Sequence, residues 1–204
     1  ESPLVLMDAP TAHNDNQQFA LIADLLASKK INVPTIAHSN FQDGLLLLSD
    51  LGDQTYLKAL RKENADQLFN DATTALIKIQ TIGEVSELHR YSADLMNHEL
   101  TLFSDWYIQK HLNIILDTAT QQSLQDILKL ITTRCASQSE VLVHRDFMPR
   151  NLMVCNDNPG ILDFQDAIIG PISYDVISLF KDAFISWEEE QIIDWTIRYW
   201  EKAR

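Results

Sequence analysis

Three apolar residues, Val141-Leu142-Val143, run straight into the polar stretch His144-Arg145-Asp146-Phe147-Met148-Pro149-Arg150-Asn151. Two short apolar runs follow, over 152–155 and 161–164, joined by Asn156-Asp157-Asn158-Pro159-Gly160. That joining segment has the chemistry of a tight turn, so the two runs read as a hairpin. A hairpin brings its open ends together. Asn151 leads into its first strand and Asp163 sits near the end of its second. Any fold for this chain must therefore place an amide and a carboxylate side by side, next to a strand-delivered loop that carries Asp146.

The rest of the chain changes character once. Residues 4–7 read as a short buried strand, ended by Pro10. Residues 16–30 place Phe19, Ile22, Ala23 and Leu26 at helical spacing. Residues 35–38 and 45–49 read as a hairpin around Asn40-Phe41-Gln42-Asp43-Gly44. Asp50-Leu51-Gly52-Asp53 breaks the pattern, and helix dominates beyond it. Asn64 with Gln67 predicts a capping box ahead of the apolar face Leu68, Phe69, Ala72, Leu76 and Ile79. A second helix is expected over 92–112 through Leu95, Met96, Leu100, Phe103 and Tyr107, and a third through Leu124, Ile127, Leu128 and Ile131. Ser186 with Glu189 predicts another capping box, before a face of Ile193, Ile197 and Trp200. The layout predicts an α+β chain, with a small strand-rich part over 1–51 and a larger, mainly helical part over 52–204.

Composition narrows the partners. A net charge of -13 offers no cationic field to offset phosphate repulsion, which argues against nucleic acid. Cys135 and Cys155 fall in no metal-like spacing and fit a reducing compartment. No apolar run approaches the roughly 20 residues of a membrane span, and no signal-peptide pattern opens the chain. The cytoplasm is the expected location. No feature of the sequence speaks to oligomeric state.

The form H-R-D-x-x-x-x-N resembles the catalytic loop of protein kinases. Phosphoryl transfer from ATP needs an acceptor hydroxyl aligned with the γ-phosphate and cations between the phosphates. In that chemistry Asp146 is the base that orients the hydroxyl and takes its proton. Asn151 and Asp163 supply the hard oxygens that suit Mg²⁺. ATP and Mg²⁺ are the cofactors expected. The whole stretch 141–183 resembles the aminoglycoside-phosphotransferase and choline-kinase group. The carrying segments are His144-Arg145-Asp146 with Asn151, Leu162-Asp163-Phe164, Gly170-Pro171 and Tyr174-Asp175. The middle Asp of that group's Gly-Asp-Pro is missing.

The resemblance implies a protein-kinase-like two-lobe fold with a truncated small lobe. Within the group, Leu162-Asp163-Phe164-Gln165-Asp166-Ala167, Leu47-Leu48-Ser49-Asp50-Leu51-Gly52 and Asp182-Ala183-Phe184-Ile185-Ser186-Trp187 resemble the bacterial kinases of N-acetylmuramate and N-acetylglucosamine. That implies an amino sugar as small-molecule partner, phosphorylated at its anomeric hydroxyl in cell-wall recycling. Two other readings stay open: an aminoglycoside phosphotransferase on the same machinery, and a non-catalytic nucleotide-binding module.

Carried onto this sequence, the resemblance makes Ser49-Asp50-Leu51 the hinge whose backbone meets adenine, with side-chain identity of little weight. Arg150 contacts phosphate or sugar, or forms a structural ion pair. Asp175 accepts backbone N–H bonds from the catalytic loop, or caps a helix. Asp166 assists the metal or ends the turn. Glu99, Trp106 and Tyr107 contact the sugar from the 92–112 helix, or pack in the core. His144 holds the loop through hydrogen bonds. The chain departs from the pattern in three ways. It has no glycine-rich phosphate loop. Met7 stands near the position of the phosphate-binding lysine. No Glu in 16–30 could pair with such a lysine. Residues missing upstream are the expected reason for the absent loop.

Overall fold

The computed structural model describes residues 3–9, 16–83 and 85–204. Pro10, expected to end the first strand, lies outside the described residues.

The first sheet has the order β1-β3-β2, from Leu4–Asp8 (β1), Ile36–Asn40 (β2) and Leu45–Ser49 (β3), all antiparallel. Gly44 closes the β2–β3 turn at φ 75°, a backbone that glycine adopts without steric cost. β3 is central, and its Leu46 and Leu48 are buried beneath α1 (Asn16–Ser28), whose Phe19, Ile22, Ala23 and Leu26 form the matching face. β1 was expected to be buried but is not: Leu4, Val5 and Leu6 are 51%, 46% and 64% exposed. It is an edge strand paired on one side only among the described residues, so an apolar run alone did not decide its burial.

The remainder is mainly helical. α2 (Tyr56–Ala59) and α3 (Ala65–Gln80) follow the Gly52 bend. α3 buries Leu68, Phe69, Ala72, Leu76 and Ile79, as its periodicity predicts. The capping box at its start does not form. Asn64 Oδ1 accepts the Arg61 N–H, its Nδ2 donates to the Ala59 carbonyl, and Gln67 turns to Asp71. α4 (Ala93–Leu102), capped by Ser92, continues in wider π-helical turns over Phe103–His111, and α5 (Thr118–Ala136) packs back on α4. Most of the apolar residues proposed for these helices are not core. Met96 alone of the α4 set is buried, while Phe103, Tyr107, Ile127 and Ile131 are 46%, 50%, 56% and 43% exposed.

Two short strand pairs complete the frame. β4 (Glu140–Val143) pairs antiparallel with β7 (Ile168–Pro171), and β5 (Leu152–Met153) pairs with β6 (Gly160–Ile161). β7 was not foreseen, because its Gly170-Pro171 ending reads as a turn. Helices α6 (Tyr174–Phe180) and α7 (Glu189–Ala203) close the chain. The second capping box also fails, since Glu188 is the cap residue and makes no side-chain bond. The face of α7 is rotated from the one expected. Trp195 and Tyr199 are buried, while Ile193, Ile197 and Trp200 are about half exposed. The aromatic ring of Trp195 packs on Phe69 at 4.6 Å and on Trp187 at 5.2 Å, and its N–H bonds Asp66. Aromatic burial and that one bond outweigh the aliphatic stripe.

A single core joins the sheet to the helices. Phe19 of α1 stacks on Phe164 at 4.7 Å, directly beside Asp163. The β5–β6 hairpin is tied to the chain on both sides of the bend at Gly52. Ile161 N–H donates to the Asn32 carbonyl at 2.8 Å, and Val154 N–H to the Gln54 carbonyl at 2.8 Å. These ties fix where the hairpin ends, and therefore Asn151 and Asp163, stand relative to the 49–51 segment.

Candidate active site

β4 delivers His144 into the core and stops. The chain then turns through Arg145 at φ 73°, a left-handed conformation uncommon for a residue with a side chain. The turn is held by Asp175, which is buried. One of its carboxylate oxygens accepts the His144 N–H at 2.7 Å and the other the Arg145 N–H at 3.1 Å. The cap residue of α6 is Ser173, so Asp175 is not its cap. Burial pushes the Asp175 carboxyl up to about 7, against the downward pull of the two amide bonds.

Phe147 anchors the next step of the loop, fully buried and edge-on to the His144 ring at 5.6 Å. Between these anchors Asp146 is left half-buried. Its carboxyl is raised above its ordinary value by burial and by the charges of Asp163 and Asp166, against Arg145 and Arg150. A short 3₁₀ turn over Pro149–Asn151 brings the chain to the hairpin.

Asn151 joins the pieces. Its Nδ2 donates to the Asp146 carbonyl at 3.0 Å and to Asp163 Oδ2 at 3.2 Å, and Leu162 N–H donates to its main-chain carbonyl at 3.0 Å. Asp163 is exposed, at φ 65°, and its Oδ1 accepts Gln165 Nε2 at 2.9 Å. The hairpin thus places Asn151 and Asp163 together beside Asp146.

The other proposed residues fall in different places. The His144 imidazole was expected to hold the loop by hydrogen bonds. Instead its main-chain N–H does so, and neither ring nitrogen has a hydrogen-bond partner among the described residues. Burial pushes the imidazole down to about 4, against the upward pull of the Asp163 charge. The sign follows from proton counting. Between pH 6.5 and 4 the unfolded chain binds a proton at this position that the folded chain does not. Stability from this group is therefore lost as pH falls. His144→Leu removes the effect. On moving from pH 7 to below 4, the variant should gain about 3 kcal/mol relative to the parent in urea unfolding. A difference independent of pH would show that the imidazole is not held neutral.

Arg150 is exposed, its guanidinium 4.9 Å from the Phe184 ring, and it makes no ion pair among the described residues. Asp166 is exposed beyond Gln165. Glu99 meets the loop, but through Arg145, whose Nη2 lies 2.6 Å from Glu99 Oε1. Trp106 is 59% exposed and carries the Lys110 ammonium 3.5 Å above its ring. At the 49–51 segment, side chains carry more weight than expected. Ser49 Oγ accepts the Thr35 N–H at 2.9 Å, and Asp50 Oδ1 accepts the Gly52 N–H at 2.8 Å, fixing the bend. Leu51 lies on the hairpin, where a Cβ at Gly160 would come within 2.9 Å of its Cδ1. Gln165, Arg145 and Tyr91 were not foreseen. Only Arg145 had a signal, as the middle letter of H-R-D.

The sequence matches the model of the phosphotransferase enzyme family over residues 1–204. The chain belongs to that family. A Pseudomonas aeruginosa member named N-acetylmuramate/N-acetylglucosamine kinase is 46% identical over 200 residues, covering 98% of this chain and 59% of its own length. A Neisseria meningitidis protein of the same name is 39% identical over 207 residues, covering 100% of this chain and 61% of its own length. The chain thus spans about three-fifths of the curated phosphotransferases it matches. Among solved structures, the ADP-bound aminoglycoside phosphotransferase APH(2'')-Ib aligns with TM-score 0.66 at 19% identity, over 91% of this chain and 66% of that one. A choline/ethanolamine kinase family protein from Mesorhizobium loti aligns with TM-score 0.68 at 14% identity, over 97% and 64%. These likenesses establish the protein-kinase-like fold, with a small sheet and a mainly helical remainder.

The donor set of this family member can be set against the metal that the sequence implies. Among the described residues no cluster of three or more His, Cys, Asp or Glu could hold an ion. Asn151 and Asp163 supply one amide and one carboxylate. That suits Mg²⁺, which binds through one or two carboxylates and fills its remaining positions with water and phosphate oxygens. Both partners of Asn151 Nδ2 are acceptors, so the network itself assigns the amide and leaves Oδ1 as the oxygen available to a cation.

Proposed function

We propose that the chain carries the catalytic and metal-binding loops of an ATP-dependent kinase that phosphorylates the anomeric hydroxyl of N-acetylmuramate and N-acetylglucosamine, a cytoplasmic step of cell-wall recycling. The observation that carries this reading is the Asn151 amide, which binds the loop of Asp146 and the carboxylate of Asp163 into one unit. The names of the relatives at 39–46% identity support the acceptor class. Residues 1–51 would be the smaller lobe and 52–204 the larger, with adenine at the backbone of Ser49, Asp50 and Leu51 between them. The two free thiols fit a reducing compartment, and no helix among the described residues is long and apolar enough to cross a membrane.

Asp146 accepts a hydrogen bond from the acceptor hydroxyl, aligns it and takes its proton as the acceptor oxygen bonds to the γ-phosphorus of ATP and the bond from that phosphorus to the bridging oxygen breaks, releasing ADP. Its raised pKa makes it a better proton acceptor than an ordinary exposed carboxylate. Asn151 and Asp163 would hold Mg²⁺, which when bound would neutralise charge on the phosphates. Arg150, exposed beside the Phe184 ring, would meet an anionic group, either a phosphate oxygen or the carboxylate of N-acetylmuramate.

The test is ADP release by the whole protein with Mg-ATP and each candidate acceptor, followed by phosphorus NMR of the product. Turnover with the amino sugars and an anomeric sugar phosphate are expected. Turnover with kanamycin alone would transfer the reading to the aminoglycoside kinases. No turnover with any acceptor would leave a nucleotide-binding module.

A further inference from the structure

The left-handed backbone at Arg145 needs more than one restraint, because nothing in its own side chain favours it. Asp175 holds its main chain. Its side chain is held separately, by the 2.6 Å ion pair with Glu99, both partners being only about a quarter exposed at 28% and 27%. The second carboxylate oxygen of Glu99 accepts the Tyr91 hydroxyl. Tyr91 is itself fixed from two sides. Its N–H donates to the Ile169 carbonyl of β7 at 2.8 Å, and its ring meets Tyr174 edge-on at 5.5 Å, one residue before Asp175. Gly170 leaves the room this needs, since a Cβ there would lie 3.1 Å from the Tyr91 Cβ. Every atom of the Glu99 carboxylate is thus engaged by protein, and the chain of contacts ends one residue from Asp146.

We infer that Glu99, with Tyr91, is a positioning residue that clamps Arg145 and so lets helix α4 set the Asp146 loop. It is not a group that touches the sugar. The inference rests on the kinase reading for its kinetic consequence alone. A half-buried pair of this kind is sensitive to loss of either member, because the remaining charge is left without its partner.

The experiment is a double-mutant cycle in the whole protein with Glu99→Ala, Arg145→Ala and both together. Each single change should lower kcat at least about tenfold while the KM for ATP and for the amino sugar stays within about twofold. The double variant should be no worse than the poorer single one, because both remove the same contact. Glu99→Gln, which keeps an acceptor for Arg145, should retain more turnover than Glu99→Ala. A raised acceptor KM at unchanged kcat would make Glu99 a direct sugar contact, and multiplicative losses would make the two residues independent. Either result overturns the inference. Amide hydrogen exchange provides a readout that needs no substrate. Glu99→Ala should speed exchange over 144–151 about tenfold with α3 unchanged. No acceleration there overturns the clamp. If the parent protein transfers no phosphate, the kinase reading falls and exchange still decides the clamp.

Discussion

Asp146→Asn is expected to lower turnover by about 10²–10⁴-fold while leaving ATP affinity within about threefold. The substitution is nearly isosteric. It spares the hydrogen bond from Asn151, which goes to the main-chain carbonyl of residue 146 rather than its side chain. It also spares Phe147 and Asp175, so the loop keeps its anchors. What it removes is the one half-buried carboxylate of the loop, with its raised proton affinity. An amide can still orient a hydroxyl, but it cannot take the proton. ADP release at saturating amino sugar reads the loss, and calorimetric titration with Mg-ATP reads the affinity. Turnover comparable to the parent would remove Asp146 from the chemistry and leave the loop a purely structural turn.

The parts of this site that were legible in the sequence are those fixed by local geometry. The turn Asn156-Asp157-Asn158-Pro159-Gly160 forces a hairpin, and a hairpin forces Asn151 toward Asp163. The observed bond between them follows from that spacing. The α3 face was legible because its apolar residues have one partner, the shared core. What stayed hidden depends on contacts distant in sequence. The partner of Arg145 lies on α4, and no local rule connects position 145 to position 99. The α7 face was misread because its aliphatic stripe is longer than its aromatic one, yet Trp195 and Tyr199 reach Phe69, Asp66 and Gln80. Both capping boxes failed for a related reason. Asn64 found better partners in the preceding turn, and at α7 the cap residue is Glu188, two residues after Ser186, so that hydroxyl is not at the cap.

The same contrast explains why the loop is built from unlike restraints. Asp175 and Asn151 hold main-chain atoms, and Phe147 and Phe164 hold by burial. None of these uses the carboxylate of Asp146, which is therefore left for chemistry, while each oxygen of Asp163 accepts one amide bond, from Asn151 and from Gln165. Two residues at positive φ, Arg145 and Asp163, flank this arrangement. Each turns the chain sharply, so that a strand end presents a side chain outward instead of running on into the core.

Asp163→Asn is expected to raise the magnesium concentration needed for half-maximal nucleotide binding about tenfold or more, and to lower turnover about 100-fold. The choice of substitution matters. At φ 65° a residue with an ordinary side chain is strained, and Asn tolerates that backbone as well as Asp does. Asp163→Ala would mix lost ligation with a backbone penalty of about 1 kcal/mol. The amide also keeps an oxygen for Asn151 or Gln165, so the hairpin end holds its shape. The change therefore isolates the negative charge, which is what a hard divalent cation takes from a carboxylate and cannot take from an amide. Nucleotide titrations at limiting and at saturating magnesium separate the two contributions. Weak binding that excess magnesium restores would place the cation on Asp163. Equal affinity at every magnesium concentration would place it elsewhere, and would reduce the bond between Asn151 and Asp163 to a hairpin clasp.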